Sequence, residues 1–126
     1  MAHKQHSPGF LKIVDDAKSR VREISVQEAL SDMAGDARLI DVREDHEWQE
    51  CHAKGAEHLS KGIIERDIET LVPDKDDYLI LYCGGGYRAA LAADSLQRMG
   101  YTNVRSMAGG WRAWLEANAP IETTTK

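Results

Sequence analysis

Apolar residues along this chain switch between two spacings, and each switch marks an element. Phe10, Leu11, Ile13, Val14, Ala17 and Val21 recur three and four apart. That spacing predicts an amphipathic helix over residues 9–20, started by Ser7 and Pro8. A short strand at Glu23 and Ile24 follows. Ser25 and Glu28 have the S-x-x-E spacing of a capping box, so a second helix should run to about Met33 and stop at Gly35. The branched runs RLIDV (38–42), YLILY (78–82) and NVRSM (103–107), with the shorter AEHL (56–59), read as strands. EDHEWQE supplies a helical turn or two. Residues 61–72 carry a helical apolar face through Ile63, Ile64, Ile68, Leu71 and Val72, and Pro73 ends it. Residues 88–99 turn Ala89, Ala92, Ala93, Leu96 and Met99 inward and stop at Gly100, and GGWRAWLEANA forms a last helix before Pro120.

The strand runs are continuously apolar where a half-exposed strand would alternate. Continuous runs separated by helices predict a parallel sheet covered on both faces. In such sheets ligands collect at the carboxyl ends of the strands. Cys83 stands there, directly after YLILY and before a helix.

Composition narrows the function. With 126 residues the chain has the length of one domain, and 42% hydrophobic and 29% charged residues describe an ordinary globular protein. A formal net charge of −5 argues against a nucleic-acid partner. No apolar stretch is long enough to span a bilayer. The segment MAHKQHSPGFLKIVDD has no leader pattern, so the expected location is the cytoplasm. Cys51 and Cys83 form no CxxC pair and are expected as free thiols. The histidines show no zinc-type pairing with them, so no metal or organic cofactor is expected. His3 and His6 are expected to be solvated in a frayed terminus.

The remaining chemistry lies in CGGGYR (83–88). Glycine tolerates dihedrals that aim successive backbone N–H groups into one concavity, and the helix that follows adds its positive end. The product is an anion-binding cup with a sulfur at its base, an environment that favours the thiolate. A nucleotide-binding turn is the bland reading. The segment matches neither G-x-G-x-x-G nor a Walker loop. From the loop alone, a purely structural Cys83 stays open.

LIDVRE (39–44), EWQECHAKGAEHLS (47–60), LYCGGGYRAA (81–90) and MAGGWRAW (107–114), in this order and spacing, resemble a single-domain rhodanese-type sulfurtransferase. The resemblance covers about residues 22–118. It implies a three-layer α/β/α domain with a central, mainly parallel five-stranded sheet. Residues 1–21 would be a helical extension, 22–120 the domain and 121–126 a tail. Cys83 would take a sulfane sulfur from thiosulfate, polysulfide or a persulfide and pass it to a thiol or cyanide. The cradle would be Gly84, Gly85, Gly86, Tyr87 and Arg88, with Asp41 and Arg43 bracing the site. For that last pair an ion pair holding a turn outweighs direct catalysis. Trp111 and Trp114 are read as packing residues.

Two positions depart from the family pattern. Ala89 replaces a hydroxyl residue after the loop arginine, and Cys51 stands where glycine is favoured before the histidine. Cys51 reads as an idle thiol, with a resolving role as the sharper alternative. Phosphatases and arsenate reductases of the same fold use a loop one residue longer between cysteine and arginine. The four residues between Cys83 and Arg88 therefore favour sulfur over a tetrahedral oxyanion. A carrier or regulatory module served by a protein partner is the other alternative.

Overall fold

The computed structural model describes residues 6–123. Its centre is a five-stranded, all-parallel sheet in the order β1-β6-β5-β2-β4. The strands are β1 (Arg22–Ile24), β2 (Arg38–Asp41), β4 (Glu57–His58), β5 (Leu79–Tyr82) and β6 (Val104–Met107). Parallel neighbours require crossovers, and helices supply them. On one face lie α4 (Ile64–Leu71) and α5 (Tyr87–Arg98), whose Ile64, Ile68, Ala89, Ala92, Ala93 and Leu96 pack on Leu79 and Leu81. On the other face, α2 (Val26–Met33) and α6 (Gly110–Glu116) set Val26, Ala29 and Trp114 against Ile80, Tyr82 and Met107. Every residue of β5 is fully buried, which is why LILY is continuously apolar.

The capping box on α2 forms as its spacing predicts. The Glu28 amide donates to Ser25 Oγ at 3.1 Å, and the Ser25 amide donates to Glu28 Oε1 at 2.9 Å. A second box starts α3 (Asp45–Glu50), between Glu44 and Glu47. The helix expected over 61–72 begins as a 3-10 turn, Lys61–Ile63, before α4. The Lys61 amide, at the head of that turn, donates to Val42 O at 3.0 Å.

One feature was not expected from the sequence. β3 (His52–Ala53) pairs antiparallel with β7 (Ile121–Glu122). Each strand has two residues, too few to show a period. Trp114 Nε1 locks the returning chain by donating to Pro120 O at 2.8 Å.

α1 (Pro8–Lys18) lies on the outer side of α5, with Val14 and Ala17 buried. Arg20 fastens it there, its Nε donating to Asp94 Oδ1 at 2.9 Å and its Nη2 to Asp94 Oδ2 at 2.8 Å. The Gln97 side chain donates to Arg20 O at 3.0 Å. The amino end of α1 thereby reaches the carboxyl edge of the sheet.

Candidate active site

Cys83 ends the central strand and is 1% exposed. Its Sγ accepts from two backbone amides, Gly86 N at 3.1 Å and Ala89 N at 3.3 Å. Gly86 caps α5 with φ +100°, the left-handed turn that folds the loop back over the sulfur. Of the expected cradle residues, Gly84, Gly85, Tyr87 and Arg88 line a cavity of about 910 Å³ above Cys83. Gly86 is buried beneath it. Ala89 was noted in the sequence only for the hydroxyl it lacks. Its contribution is its amide, one turn into the helix, which side-chain chemistry could not reveal.

The loop is held from below by α6. Trp111 N donates to Cys83 O at 2.7 Å and Arg112 N to Gly84 O at 3.1 Å. That approach needs Gly110, at φ +53°, because a Cβ there would sit 2.3 Å from Cys83 O. The double glycine of MAGGW thus has a geometric reason: no side chain fits where α6 meets the loop.

Arg88 does not stand alone in the cup. Its Nη1 and Nη2 donate to the two carboxylate oxygens of Glu47, at 2.9 and 3.3 Å. Burial works against the Arg88 charge, but the Glu47 hydrogen bond and the facing Cys83 sulfur outweigh it and raise its pKa. Burial would likewise raise Glu47, yet Arg88 and the Glu44 amide hold its carboxyl below the usual range. Glu47 was unmarked in the sequence because its partner lies 41 positions away.

Asp41 and Arg43 are both buried, and neither lines the cavity. Arg43 donates to both Asp41 oxygens at 2.8–3.0 Å and, through Nη2, to Cys51 O at 2.8 Å. Tyr82 Oη donates to Asp41 Oδ2 at 2.6 Å and accepts from Ala53 N at 3.1 Å. Burial, and the Asp41 charge after it, push the Tyr82 hydroxyl pKa up, so it remains a donor. The Arg43 guanidinium lies 4.6 Å from the Trp111 ring centroid. This network ties β2, β5, β3 and α6 together under the loop. Cys51 takes part in it through its carbonyl.

His3 lies outside the described residues. His6, expected to be solvated, instead packs edge-on against Tyr87 with ring centroids 4.6 Å apart, and lines the cavity with Ser7 and Phe10. The correction has a physical cause: Arg20 pins the far end of α1, so its amino end is delivered to the loop. Among the described residues no cluster of three or more His, Cys, Asp and Glu could hold a metal, and no helix is long and apolar enough to cross a membrane. Both cysteines are free.

The arrangement presents one buried cysteine sulfur, met by amides and a helix end, on the floor of a cleft. Comparison with known proteins agrees with that chemistry. The Haemophilus influenzae thiosulfate sulfurtransferase GlpE is 36% identical over 103 residues, covering 82% of this chain and 96% of that protein. The polysulfide-sulfur transferase homodimer from Wolinella succinogenes superposes with a TM-score of 0.79 at 27% identity, covering 93% of this chain and 89% of its own. A Rhodopseudomonas palustris protein of unknown function, described as a possible tyrosine phosphatase, gives a TM-score of 0.83 at 27% identity, covering 97% of this chain and all of its own. The family model for the rhodanese-like domain matches residues 25–117, from the cap of α2 through the end of α6, and the chain belongs to that family.

Proposed function

We propose that this rhodanese-type sulfurtransferase works by double displacement through a persulfide on Cys83. The observation that carries the reading is the pair of amides aimed at Sγ from the start of α5. In the first half-reaction the Cys83 thiolate attacks the outer sulfur of a donor R–S–S⁻ or R–SO₂–S⁻. A new S–S bond forms, the donor's S–S bond breaks, and its electron pair leaves on R–S⁻ or R–SO₂⁻. Cys83 then holds an anionic persulfide. The amides of Gly84, Gly85, Tyr87 and Arg88 receive its outer sulfur, and the helix end favours its charge. In the second half-reaction a thiolate or cyanide attacks that sulfur and Cys83 leaves as the thiolate. Charge and sulfur balance in both halves, and neither oxidant nor reductant is needed. Asp41 and Arg43 act as positioning residues that hold the floor of the loop. The cytoplasm, where thiols stay reduced, is the compartment this chemistry suits.

Gly85 tests the cup. A Cβ at this position meets nothing within 4 Å, and its φ lies outside the left-handed region. Gly85→Val should therefore change stability by less than about 0.5 kcal/mol. Sulfur transfer should fall at least tenfold as the branched side chain crowds the space above Cys83. Arg88→Lys should lose several-fold, since an ammonium cannot reproduce the two-point contact with Glu47. Steady-state transfer rates beside thermal melts check both. Wild-type rates from Gly85→Val would place the outer sulfur elsewhere.

Donor choice follows from the charge in the cleft. The Arg88 charge is matched by Glu47, and the cleft's lining adds one further carboxylate, Glu44, and one further guanidinium, Arg112. The formal charge of the chain is −5. A dianion such as thiosulfate therefore meets little excess cation, while an organic persulfide carries one charge and a polysulfide holds its two at opposite ends of a chain. A persulfide or polysulfide donor, small or carried by a partner protein, should show a higher kcat/KM than thiosulfate under matched pH and salt. Thiosulfate equal or better would mean that amides and helix end suffice for the dianion. The four residues between Cys83 and Arg88 also make a loop that favours one sulfur at its centre over a tetrahedral oxyanion. p-Nitrophenyl phosphate and arsenate should not be turned over, and a Cys83-dependent phosphatase rate rivalling sulfur transfer would replace this reading.

A further inference from the structure

The cavity above Cys83 is far larger than a small inorganic donor requires. About 910 Å³ is at the upper end of clefts that take drug-sized organic ligands. Its lining is of two kinds. One is polar and charged: Glu44, His46, Glu47, Arg88 and Arg112. The other is aromatic, made by His6 just before α1, Phe10 in its first turn and Tyr87 at the start of α5: His6 and Phe10 stand 5.2 Å apart, and Tyr87 meets them at 4.6 and 6.2 Å. The three rings lie edge-on or tilted to one another, the arrangement aromatic groups prefer when they pack. Phe10 and Tyr87 are half-buried, leaving part of each ring at the cleft.

This wall is built deliberately into the fold. α1 lies outside residues 25–117, the part that matches the family model. The hydrogen bonds that close the loop over Sγ and support its carbonyls come from α5 and α6. Yet the helix is fixed by Arg20 on Asp94 and Gln97 on Arg20, and by the burial of Val14 and Ala17. Lys18 holds Tyr87 from the other side, its Nζ 5.0 Å from the ring centroid. A helix that supplies neither amide to Sγ is thus fastened so that its amino end borders the cleft above Cys83.

We infer that His6 and Phe10, with Tyr87, form a specificity wall for the leaving part of the donor, and that the donors it selects carry an aromatic or alkyl body on the sulfane sulfur. The inference rests on the persulfide reading of Cys83. Cys83, 1% exposed, admits only the narrow outer sulfur. The rest of the donor must then lie in the cleft, where an apolar body covers the rings and loses water. The sulfur step is the one already given: R–SO₂–S⁻ yields its outer sulfur to the Cys83 thiolate and departs as R–SO₂⁻, whatever R is. The wall changes binding of R and leaves the bond changes alone.

The test compares benzenethiosulfonate, methanethiosulfonate and thiosulfate as donors to the full chain, with cyanide as acceptor and uncatalysed rates subtracted. Wild type should give kcat/KM in the order benzene, methane, thiosulfate. Phe10→Ala should reduce the benzenethiosulfonate-to-thiosulfate ratio of kcat/KM at least tenfold, chiefly through KM for the arene donor. Phe10→Leu, which keeps an apolar body, should restore most of that ratio. Arg20→Ala, which unties α1 from Asp94, should lower the ratio in the same direction by unfastening the whole wall. A ratio unchanged in Phe10→Ala, in an enzyme that still transfers sulfur, overturns the wall and leaves the persulfide reading standing. Failure of wild type to take sulfur from any of the three overturns the persulfide reading itself.

Discussion

Replacing Cys83 by serine is expected to reduce sulfur transfer to the uncatalysed background with every donor, while Cys51→Ser keeps most of the wild-type rate. The two cysteines differ in what surrounds the sulfur. Cys83 Sγ stands on the floor of the cleft and receives amides from Gly86 and Ala89. Cys51 follows α3, and its carbonyl accepts from Arg43. A serine hydroxyl at position 83 accepts the same amides and nearly fills the same volume, so the fold should survive. It cannot carry a sulfane sulfur as a persulfide. Transfer rates with thiosulfate and polysulfide, beside circular dichroism of each variant, give the comparison. Substantial activity in Cys83→Ser, or its loss in Cys51→Ser, would move the carrier to Cys51.

The second large effect is expected at Gly110, and it should appear in stability as well as rate. A Cβ there would stand 2.3 Å from Cys83 O and within 3.0 Å of the carbonyl carbons of Gly84 and Cys83. These are backbone atoms at the end of the central strand and cannot swing aside as a flexible side chain would. A φ of +53° adds the left-handed cost, about 1–2 kcal/mol for a residue with a Cβ. Overpacking of this kind costs about 1–3 kcal/mol more. Relief requires α6 to draw away from the loop, which breaks the bonds from Trp111 N to Cys83 O and Arg112 N to Gly84 O. Gly110→Ala should lower Tm by roughly 10 °C. The remaining folded protein should transfer sulfur poorly, because the loop over Sγ has lost its support. The contrast with Gly85→Val separates the two jobs of glycine here, since one position clears space for substrate and the other lets two backbones touch. A Gly110→Ala protein with wild-type melting and rate would show that α6 does not set the loop.

What the sequence disclosed, and what it hid, follows from the range of each interaction. YLILY was legible as a buried strand because burial on both faces removes alternation. The cap of α2 was legible because Ser25 and Glu28 meet within one turn. The Cys83 loop was legible because glycine, helix start and cysteine are contiguous. Interactions between distant segments left no such mark. The Glu47–Arg88 pair spans 41 positions, and nothing in EWQE distinguishes Glu47 from its acidic neighbours. The β3–β7 ribbon joins two-residue strands nearly seventy positions apart, short enough to pass for loop and tail. The 3-10 start before α4 was missed because an apolar face alone does not distinguish i+3 from i+4 bonding. The apolar stripe of α1 predicted a docked helix, but only the Arg20–Asp94 contact, 74 positions apart, decides which helix receives it. His6 was misjudged for the same reason: proximity to the chain end suggested solvent, whereas docking of α1 sets it on Tyr87.

The central claim is that sulfur rides on Cys83. The direct measurement is intact-protein mass after incubation with a sulfane donor, taken with and without a thiol reductant, followed by peptide mapping of the adduct. The account predicts a gain of one sulfur atom that the reductant removes, mapped to the peptide containing Cys83 and still formed in Cys51→Ser. An adduct mapped to Cys51, or one that persists in Cys83→Ser, would contradict it.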